Sequence, residues 1–377
     1  MTTLQRLREI PQRIREASLL EAEVAALQAR VHELESHTSH LEKRLHEESY
    51  TAELRANHLE KRLHDAEYTL QQFADAGLRV NEAADPEAFA RWLTWRAPGH
   101  FYSPIPNLRE LDKLDDALWP AEPPSEIPGV ELGTDRQLST FTRIAALARD
   151  LDVHEQKTKP WRYYSDNVAY GIGDALTLHG MLQHIRPKRL IEVGSGHSSA
   201  MTLDTVELFL DWQTELTFVE PYPELLESLM QPGDPERVTI IPSPLQHVPP
   251  ETFSTLQSGD VLFIDSTHVL KTGSDVAWLY GNVLPALNEG VLLHIHDIFY
   301  PFEYRKDWVM EGRAWSETYL VRAFLAFNTD FEIVLFNDWM AKFHIDRIEA
   351  ELPAMLADTG GALWLRRARK TNAQLSS

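Results

Sequence analysis

The sequence predicts an α/β protein with a mainly parallel, seven-stranded sheet, preceded by a long helical coiled coil. From residue 161 onward, short apolar runs alternate with helical segments, which is the pattern of a parallel sheet covered by helices on both faces. The run RLIEVGSGHSS at 189–199 leads from an apolar strand through a glycine turn into a helix. By contrast, residues 1–76 contain no glycine and only one proline, Pro11, which favours one long helix.

The N-terminal segment 1–76 has the features of a helical assembly arm. The motif HLEKRLH recurs at 40–46 and 58–64, and because this 18-residue repeat equals five turns of straight helix, we expect little supercoiling there. Such a helix cannot bury its apolar stripe alone, so we expect self-association or a partner; a helix folded back on its own domain is the alternative. Closer to the N-terminus, apolar residues keep the three-four spacing of a coiled-coil seam at Val24, Leu27, Val31 and Leu34.

Composition excludes several classes of partner and site. With 36 Lys and Arg against 57 Asp and Glu, the net charge of -21 disfavours binding to nucleic-acid backbones. The absence of cysteine rules out disulfides and thiolate metal sites and agrees with a reducing compartment. The sequence shows neither an apolar signal core nor an apolar run of about 18 residues. We therefore expect a cytoplasmic protein with no transmembrane segment and no nucleic-acid partner.

The segment 77–160 is rich in proline and is predicted to be irregular. Its prolines are concentrated in YSPIP at 102–106 and WPAEPP at 119–124. Because proline fixes φ and has no N–H to donate to a sheet ladder, we expect no sheet here. One helix is expected near 135–151. A lid over a small-molecule site and a plain connector both fit this segment.

The expected catalytic region is 161–370, followed by a disordered tail at 371–377. Open α/β sheets bind ligands at the carboxyl ends of their strands, so those ends carry the candidate site residues. Aromatic residues and an acid just before the first strand could line a cofactor or acceptor pocket, or belong to the core: Tyr163, Tyr164, Tyr170 and Asp174. The predicted strands lie near 189–194, 216–220, 238–242, 261–265, 290–296, 331–337 and 362–366.

The glycine turn after the first strand allows two interpretations, a dinucleotide-binding loop or a methyl-donor loop. The dinucleotide fingerprint requires a third glycine where Ser199 stands, so it is the weaker match. The motif EVGSG at 192–196 resembles the first loop of class I S-adenosylmethionine (AdoMet) methyltransferases. In that family, the acid at the strand end and the glycines hold the amino-acid end of AdoMet.

This resemblance implies a Rossmann-like sheet whose last strand inserts antiparallel. Glu220, at the tip of the second strand, would contact the ribose hydroxyls of AdoMet, and Gln246 would contact its adenine. The complete set of cofactor-binding residues that the resemblance implies is Glu192, Gly194, Ser195, Gly196, Glu220, Gln246 and Asp265.

The fourth and fifth strands end in VLFIDSTH at 261–268 and LLHIHD at 292–297. An apolar strand that finishes in Asp is not filling a core, because an unpaired buried carboxylate is costly. We expect Asp265, His296 and Asp297 to converge as ligands of a divalent metal such as Mg²⁺ or Mn²⁺. His268 follows Asp265 by three residues.

This arrangement resembles metal-dependent O-methyltransferases of the catechol and macrolide-sugar types. They place a metal-binding Asp at this strand end and a base three residues later, and in the sugar enzymes that base is a His, as His268 is here. Their fifth strand ends in two adjacent acids, whereas this chain has His296 and Asp297, so the identity of the metal stays open. Further phrases, such as HDIFYPFE at 296–303, resemble bacterial class I methyltransferases linked to the tailoring of polysaccharides or secondary metabolites.

The resulting hypothesis is an AdoMet-dependent O-methyltransferase that acts on a hydroxyl of a sugar, glycoside or related small molecule. His268 would be the catalytic base, with a divalent metal at Asp265 and Asp297. The alternative is an assembly protein whose coiled coil recruits a partner and whose methyltransferase-like domain binds a ligand. A third class, an NAD-linked oxidoreductase, is disfavoured by Ser199.

Overall fold

A computed structural model describes residues 99–167 and 169–368, together with Arg30. The predicted coiled coil at 1–76, apart from Arg30, and the predicted tail at 371–377 lie outside the described residues. Contacts divide the chain into Met1–Pro106 and Asn107–Ser377. In the first unit, residues 99–106 form a turn in which the Gly99 N–H donates to the Ile105 carbonyl oxygen. The domain boundaries and the coiled coil stay predictions.

The second unit contains the predicted seven-stranded sheet, and its strands coincide closely with the expected ranges. They are β1 Arg189–Val193, β2 Glu215–Val219, β3 Val238–Ile241, β4 Val261–Ile264, β5 Leu292–Ile295, β6 Phe331–Phe336 and β7 Leu363–Arg367. The strand order is β3-β2-β1-β4-β5-β7-β6. Strands β1 to β5 pair in parallel, and β7 lies antiparallel between β5 and β6. The predicted antiparallel insertion of the last strand is therefore confirmed.

Helices cover the sheet, as expected for strands that are apolar on both sides. Helix α3, which the sequence predicted near 135–151, is confirmed. Within the described part of the chain, no helix is both long and apolar enough to cross a membrane. The α-helices are α1 Leu108–Leu111, α2 Asp115–Leu118, α3 Thr134–Ala148, α4 Ile172–Ile185, α5 His197–Leu210, α6 Glu224–Leu229, α7 Asp275–Trp278, α8 Lys306–Met310, α9 Glu317–Leu325, α10 Asn337–Phe343 and α11 Ile345–Glu351. Shorter 3-10 helices are Asp112–Leu114, Leu245–His247, Pro250–Thr255, Leu284–Ala286 and Pro353–Ala357, and Leu279–Val283 is a π-helix.

The sheet register places the ends of three strands side by side. Val193 at the end of β1 pairs with Ile264 of β4, and Ile264 pairs with Ile295 of β5. Because these strands are parallel, the residues that follow them lie at the same edge of the sheet. This edge therefore brings together the polar residues that the sequence placed at strand ends.

A buried ion network fixes the segment before α4 to the rest of the unit. Arg162 is almost completely buried, and its guanidinium contacts Asp204 at 2.9 Å and Asp234 at 2.7 Å. Its Nη2 also lies 2.6 Å from Glu207, and its backbone N–H donates to Asp204. Burial by itself lowers the pKa of Arg162, but the hydrogen bonds to Asp234 and Asp204 outweigh it and raise that pKa. The network joins the loop at 162 to α5 and to the loop that follows α6.

Candidate functional site

Four polar side chains meet at the tips of β4 and β5. His296 Nδ1 lies 3.2 Å from Asp265 Oδ1 and 3.7 Å from Asp297 Oδ1. His268 Nε2 lies 3.5 Å from Asp265 Oδ1 and 3.5 Å from Asp297 Oδ2. One ligand atom each from Asp265, His296 and Asp297 fall within 4.8 Å of one another. The structure thus brings together the residues that the sequence proposed as metal ligands, with His268 beside them.

The imidazole of His296 is held between two carboxylates. Its Nε2 lies 3.1 Å from Asp174 Oδ2, on the side opposite Asp265. Asp174 is buried and also accepts hydrogen bonds from the backbone N–H groups of Gly361 and Ala362. The sequence suggested that Asp174 lines a cofactor or acceptor pocket, but the structure instead places it behind His296. A carboxylate behind a ligating imidazole is the usual way of fixing its tautomer and orientation.

His268 also contacts a third carboxylate, Glu317, that the sequence did not single out. Its Nδ1 lies 3.0 Å from Glu317 Oε2, and its ring lies against Trp315 with centroids 4.7 Å apart. Glu317 follows His268 by 49 residues in the chain. No local spacing or periodicity links two residues so far apart, so sequence reasoning had no signal for this contact.

Two residues of this site have left-handed backbone conformations. The φ angles of His268 and Asp297 are 58° and 57°. For residues other than glycine this region costs on the order of 1–3 kcal/mol, and such strain is concentrated at active sites and ligand clamps. Asp adopts this conformation more easily than most side chains. Both side chains of the cluster are therefore carried by a backbone conformation that most residues avoid.

Burial and the charges of neighbouring groups shift the pKa values of the residues in this cluster. Burial would lower the pKa of His268, but its contacts with Asp265 and Glu317 raise it to about 10. Burial would raise the pKa of Asp265, yet the imidazoles of His296 and His268 lower it well below its usual range. Burial raises the pKa of Asp297. Burial would likewise lower the pKa of His296, but the nearby carboxylates of Asp297, Asp265 and Asp174 raise it well above its usual value.

Next to this cluster is a cleft of about 500 Å³ at the tips of β1, β2 and β4. Gly194, Glu220, Gln246 and Asp265 all line it, as the resemblance implied. Glu192, Ser195 and Gly196 are not among the described residues that line the cleft. The structure thus places four of the predicted cofactor residues at the cleft wall and three outside its lining.

Glu192 is buried under the loop rather than exposed to the cleft. Its Oε1 accepts hydrogen bonds from the hydroxyls of Ser198 and Ser199 at 2.6 and 2.8 Å. Its Oε2 is buried without a hydrogen-bond partner among the described residues. Burial raises the pKa of Glu192 to about 8, although the two serine hydroxyls lower it. In this structure the acid before the glycines fixes the start of α5.

Glu220 and Gln246 are partly engaged with the backbone of the cleft. Glu220 Oε2 accepts a hydrogen bond from the Ser195 N–H at 3.0 Å, and its Oε1 accepts one from the Tyr222 N–H at 2.9 Å. A carboxylate has about four acceptor positions, so two remain for a ligand. The Gln246 amide donates to the Gly273 carbonyl oxygen at 2.7 Å. Both side chains are therefore held in place at the wall of the cleft.

Gly194 is required by the neighbouring strand as well as by the turn. Its φ is 81°, and a Cβ added there would lie 1.7 Å from the carbonyl oxygen of Asp265. A side chain at this position would push apart the ends of β1 and β4. Glycine at position 194 therefore allows the end of β1 to lie close to the end of β4, where Asp265 is found.

Comparisons with known proteins match part of this chain. Residues 191–298 match a family model described as a methyltransferase domain. A relative from Archaeoglobus fulgidus, an uncharacterized protein, is 31% identical over 164 residues, which is 42% of this chain and 73% of that protein. This chain contains a methyltransferase domain. The matched segment contains both the cleft at β1 and the cluster at Asp265, His268, His296 and Asp297.

Two solved structures have a distant likeness to this chain. The SAH-bound methyltransferase PaMTH1 of Podospora anserina is 12% identical, with 69% of this chain and 96% of that chain covered and a TM-score of 0.36. The O-methyltransferase TomG of Streptomyces achromogenes, in complex with SAM, is 13% identical, with 69% and 96% covered and a TM-score of 0.32. Likeness at this level assigns neither an activity nor a substrate to this chain.

Proposed function

We propose that this protein is an AdoMet-dependent O-methyltransferase that acts on a hydroxyl of a sugar, glycoside or related small molecule, with a divalent metal. The observation that carries the proposal is the position of His268 Nε2, which faces both Asp265 and Asp297 at 3.5 Å. Asp265 also lines the cleft, so a base and a metal site adjoin the methyl-donor pocket. General acid–base residues must lie within reach of the proton that they remove.

The donor set fits a divalent cation with mixed oxygen and nitrogen ligands. Asp265 and Asp297 would supply carboxylate oxygens, and His296 would supply Nδ1 while its Nε2 contacts Asp174. A cation there would lower the pKa of the acceptor hydroxyl and, by balancing the aspartate charges, also the pKa of His268.

The residues of the chain then have defined tasks in the transfer. His268 Nε2 accepts the proton of the acceptor hydroxyl, and the hydroxyl oxygen attacks the methyl carbon of AdoMet. AdoMet, when bound, would supply the methyl group from its sulfonium and would leave as S-adenosylhomocysteine. Glu220 and Gln246 would hold this donor in the cleft, so that the methyl group and the hydroxyl could approach in line.

A second cavity supports a hydroxylated acceptor. It has a volume of about 310 Å³ and lies along the segment that follows Asp297. Its walls combine aromatic surfaces with charged side chains, which suits the apolar faces and hydroxyl groups of a sugar ring. The aromatic and charged residues include Trp119, Phe299, Tyr304, Glu303, Lys342 and Asp358.

Replacing Glu220 with alanine is expected to weaken AdoMet binding by about 1–3 kcal/mol, because the carboxylate no longer accepts hydrogen bonds from the ribose. Isothermal titration calorimetry with AdoMet and with S-adenosylhomocysteine measures the change. Glu227→Ala, an exposed acid on the nearby helix α6, is the matched control and should bind normally. Equal affinity of Glu220→Ala and wild type would remove Glu220 from the donor site.

Replacing Asp297 with asparagine is expected to lower Mg²⁺ or Mn²⁺ affinity by at least about 10–100-fold and to lower turnover with it. Asparagine tolerates the left-handed backbone at this position, so the fold should be kept. Chelation of the wild type should reproduce the same loss of turnover. The control is Asp307→Asn, which changes an exposed acid on α8. Full activity after chelation would show that the metal has no part in the reaction.

Transfer of tritium from labelled AdoMet to a crude extract of glycans and metabolites tests the function itself. Labelled product that forms with the native protein, and not with the heat-denatured protein, supports an O-methyltransferase. AdoMet binding without any transfer would favour the alternative of a ligand-binding assembly protein. Binding of NADH in place of AdoMet would favour the oxidoreductase.

A further inference from the structure

The residues at the start of helix α9 contact both the backbone and the side chain of His268. The backbone N–H groups of Ser316 and Glu317 donate to the His268 carbonyl oxygen at 2.9 and 3.0 Å. Glu317 Oε2 lies 3.0 Å from His268 Nδ1, and Glu317 Oε1 accepts a 3.3 Å hydrogen bond from the Tyr280 hydroxyl. The two backbone contacts hold the left-handed main chain of His268, and the Glu317 carboxylate, itself held by Tyr280, contacts the imidazole.

The burial of Glu317 indicates a purpose beyond packing. Its side chain is completely enclosed, and a buried carboxylate costs several kcal/mol unless it is paired. An apolar residue of similar volume would fill the same space at no such cost. Its pairing partner is His268, whose other ring nitrogen faces Asp265 at 3.5 Å. The carboxylate and the site therefore lie on opposite edges of one imidazole.

We propose that Glu317 is the positioning residue of His268, an inference that rests on the proposed function. Glu317 accepts the Nδ1–H proton, so in the neutral ring Nε2 carries the lone pair and points towards the acceptor hydroxyl. When Nε2 takes the hydroxyl proton, the carboxylate beside Nδ1 stabilises the resulting imidazolium. This is the task that a buried carboxylate performs behind the histidine of a hydrolase triad.

Two substitutions test the inference by tritium transfer from AdoMet to the same extract of glycans and metabolites. Glu317→Gln keeps the volume but removes the charge, and Glu317→Ala removes the contact. In both variants kcat is expected to fall by about 10²-fold or more, whereas KM and Kd for AdoMet stay near the wild-type values. Glu332→Gln is the control, because Glu332 pairs with Arg136 and Arg366 at the far edge of the sheet.

The outcomes separate this inference from the proposed function. A wild-type kcat in Glu317→Gln, with only a lower melting temperature, would show a structural residue and overturn the inference. If the wild type itself transfers no tritium, the proposed function fails, and nuclear magnetic resonance of ¹⁵N-histidine-labelled protein then decides the contact. A downfield Nδ1–H proton of His268 that disappears in Glu317→Ala supports positioning, whereas an unchanged spectrum overturns it.

Discussion

Alanine in place of His268 should lower methyl transfer by roughly 10²–10⁴-fold, which is the usual contribution of a general base. The variant should retain AdoMet binding, because among the described residues the cleft is lined by other side chains. It should also retain metal binding, because the proposed ligands are Asp265, His296 and Asp297. Turnover, AdoMet affinity and bound metal are measured on the same preparation, so that a lost base can be distinguished from a lost ligand.

His184→Ala is the matched control, since His184 is an exposed histidine at the end of α4. If His268→Ala loses metal together with activity, His268 is a ligand and the base lies elsewhere. If the chelated wild type keeps full activity while His268→Ala has none, His268 acts without a metal.

Methionine in place of Arg162 should destabilise the fold by about 3–5 kcal/mol. The guanidinium compensates buried carboxylates at Asp204 and Asp234, and removing one partner of a buried ion pair leaves the other charges unpaired. Methionine retains much of the volume, so the loss reports on charge rather than on a cavity. Urea unfolding followed by tryptophan fluorescence gives the change in the free energy of unfolding.

Arg305→Met provides the comparison, because Arg305 forms an exposed ion pair with Asp307. Such surface pairs contribute about 0–1 kcal/mol. Equal destabilisation by the two substitutions would mean that the buried network at Arg162 does not stabilise the fold more than a surface pair does. The Arg162 substitution is also expected to disturb the candidate site. The segment that contains Arg162 leads into α4, and α4 carries Asp174, which contacts His296.

Much of the catalytic fold could be predicted from local patterns. Apolar runs of strand length, separated by turns and helical segments, placed all seven strands close to their observed ranges. Residues that follow parallel strands lie at one sheet edge, and this rule was enough to predict that Asp265, His296 and Asp297 lie close together, as they do in the structure. The family match over 191–298 agrees with the resemblance of the EVGSG loop at 192–196.

The residues that end each strand could be predicted from local patterns, because strand periodicity and turns are properties of neighbouring positions. The partners of those residues depend on contacts between elements that are distant in the chain. Asp174 lies behind His296 across 122 residues, and Glu317 lies behind His268 across 49. Glu192, adjacent to the glycine loop in sequence, is turned beneath that loop by Ser198 and Ser199. These pairings follow from how helices pack on the sheet, and long-range packing leaves no fixed spacing in the chain.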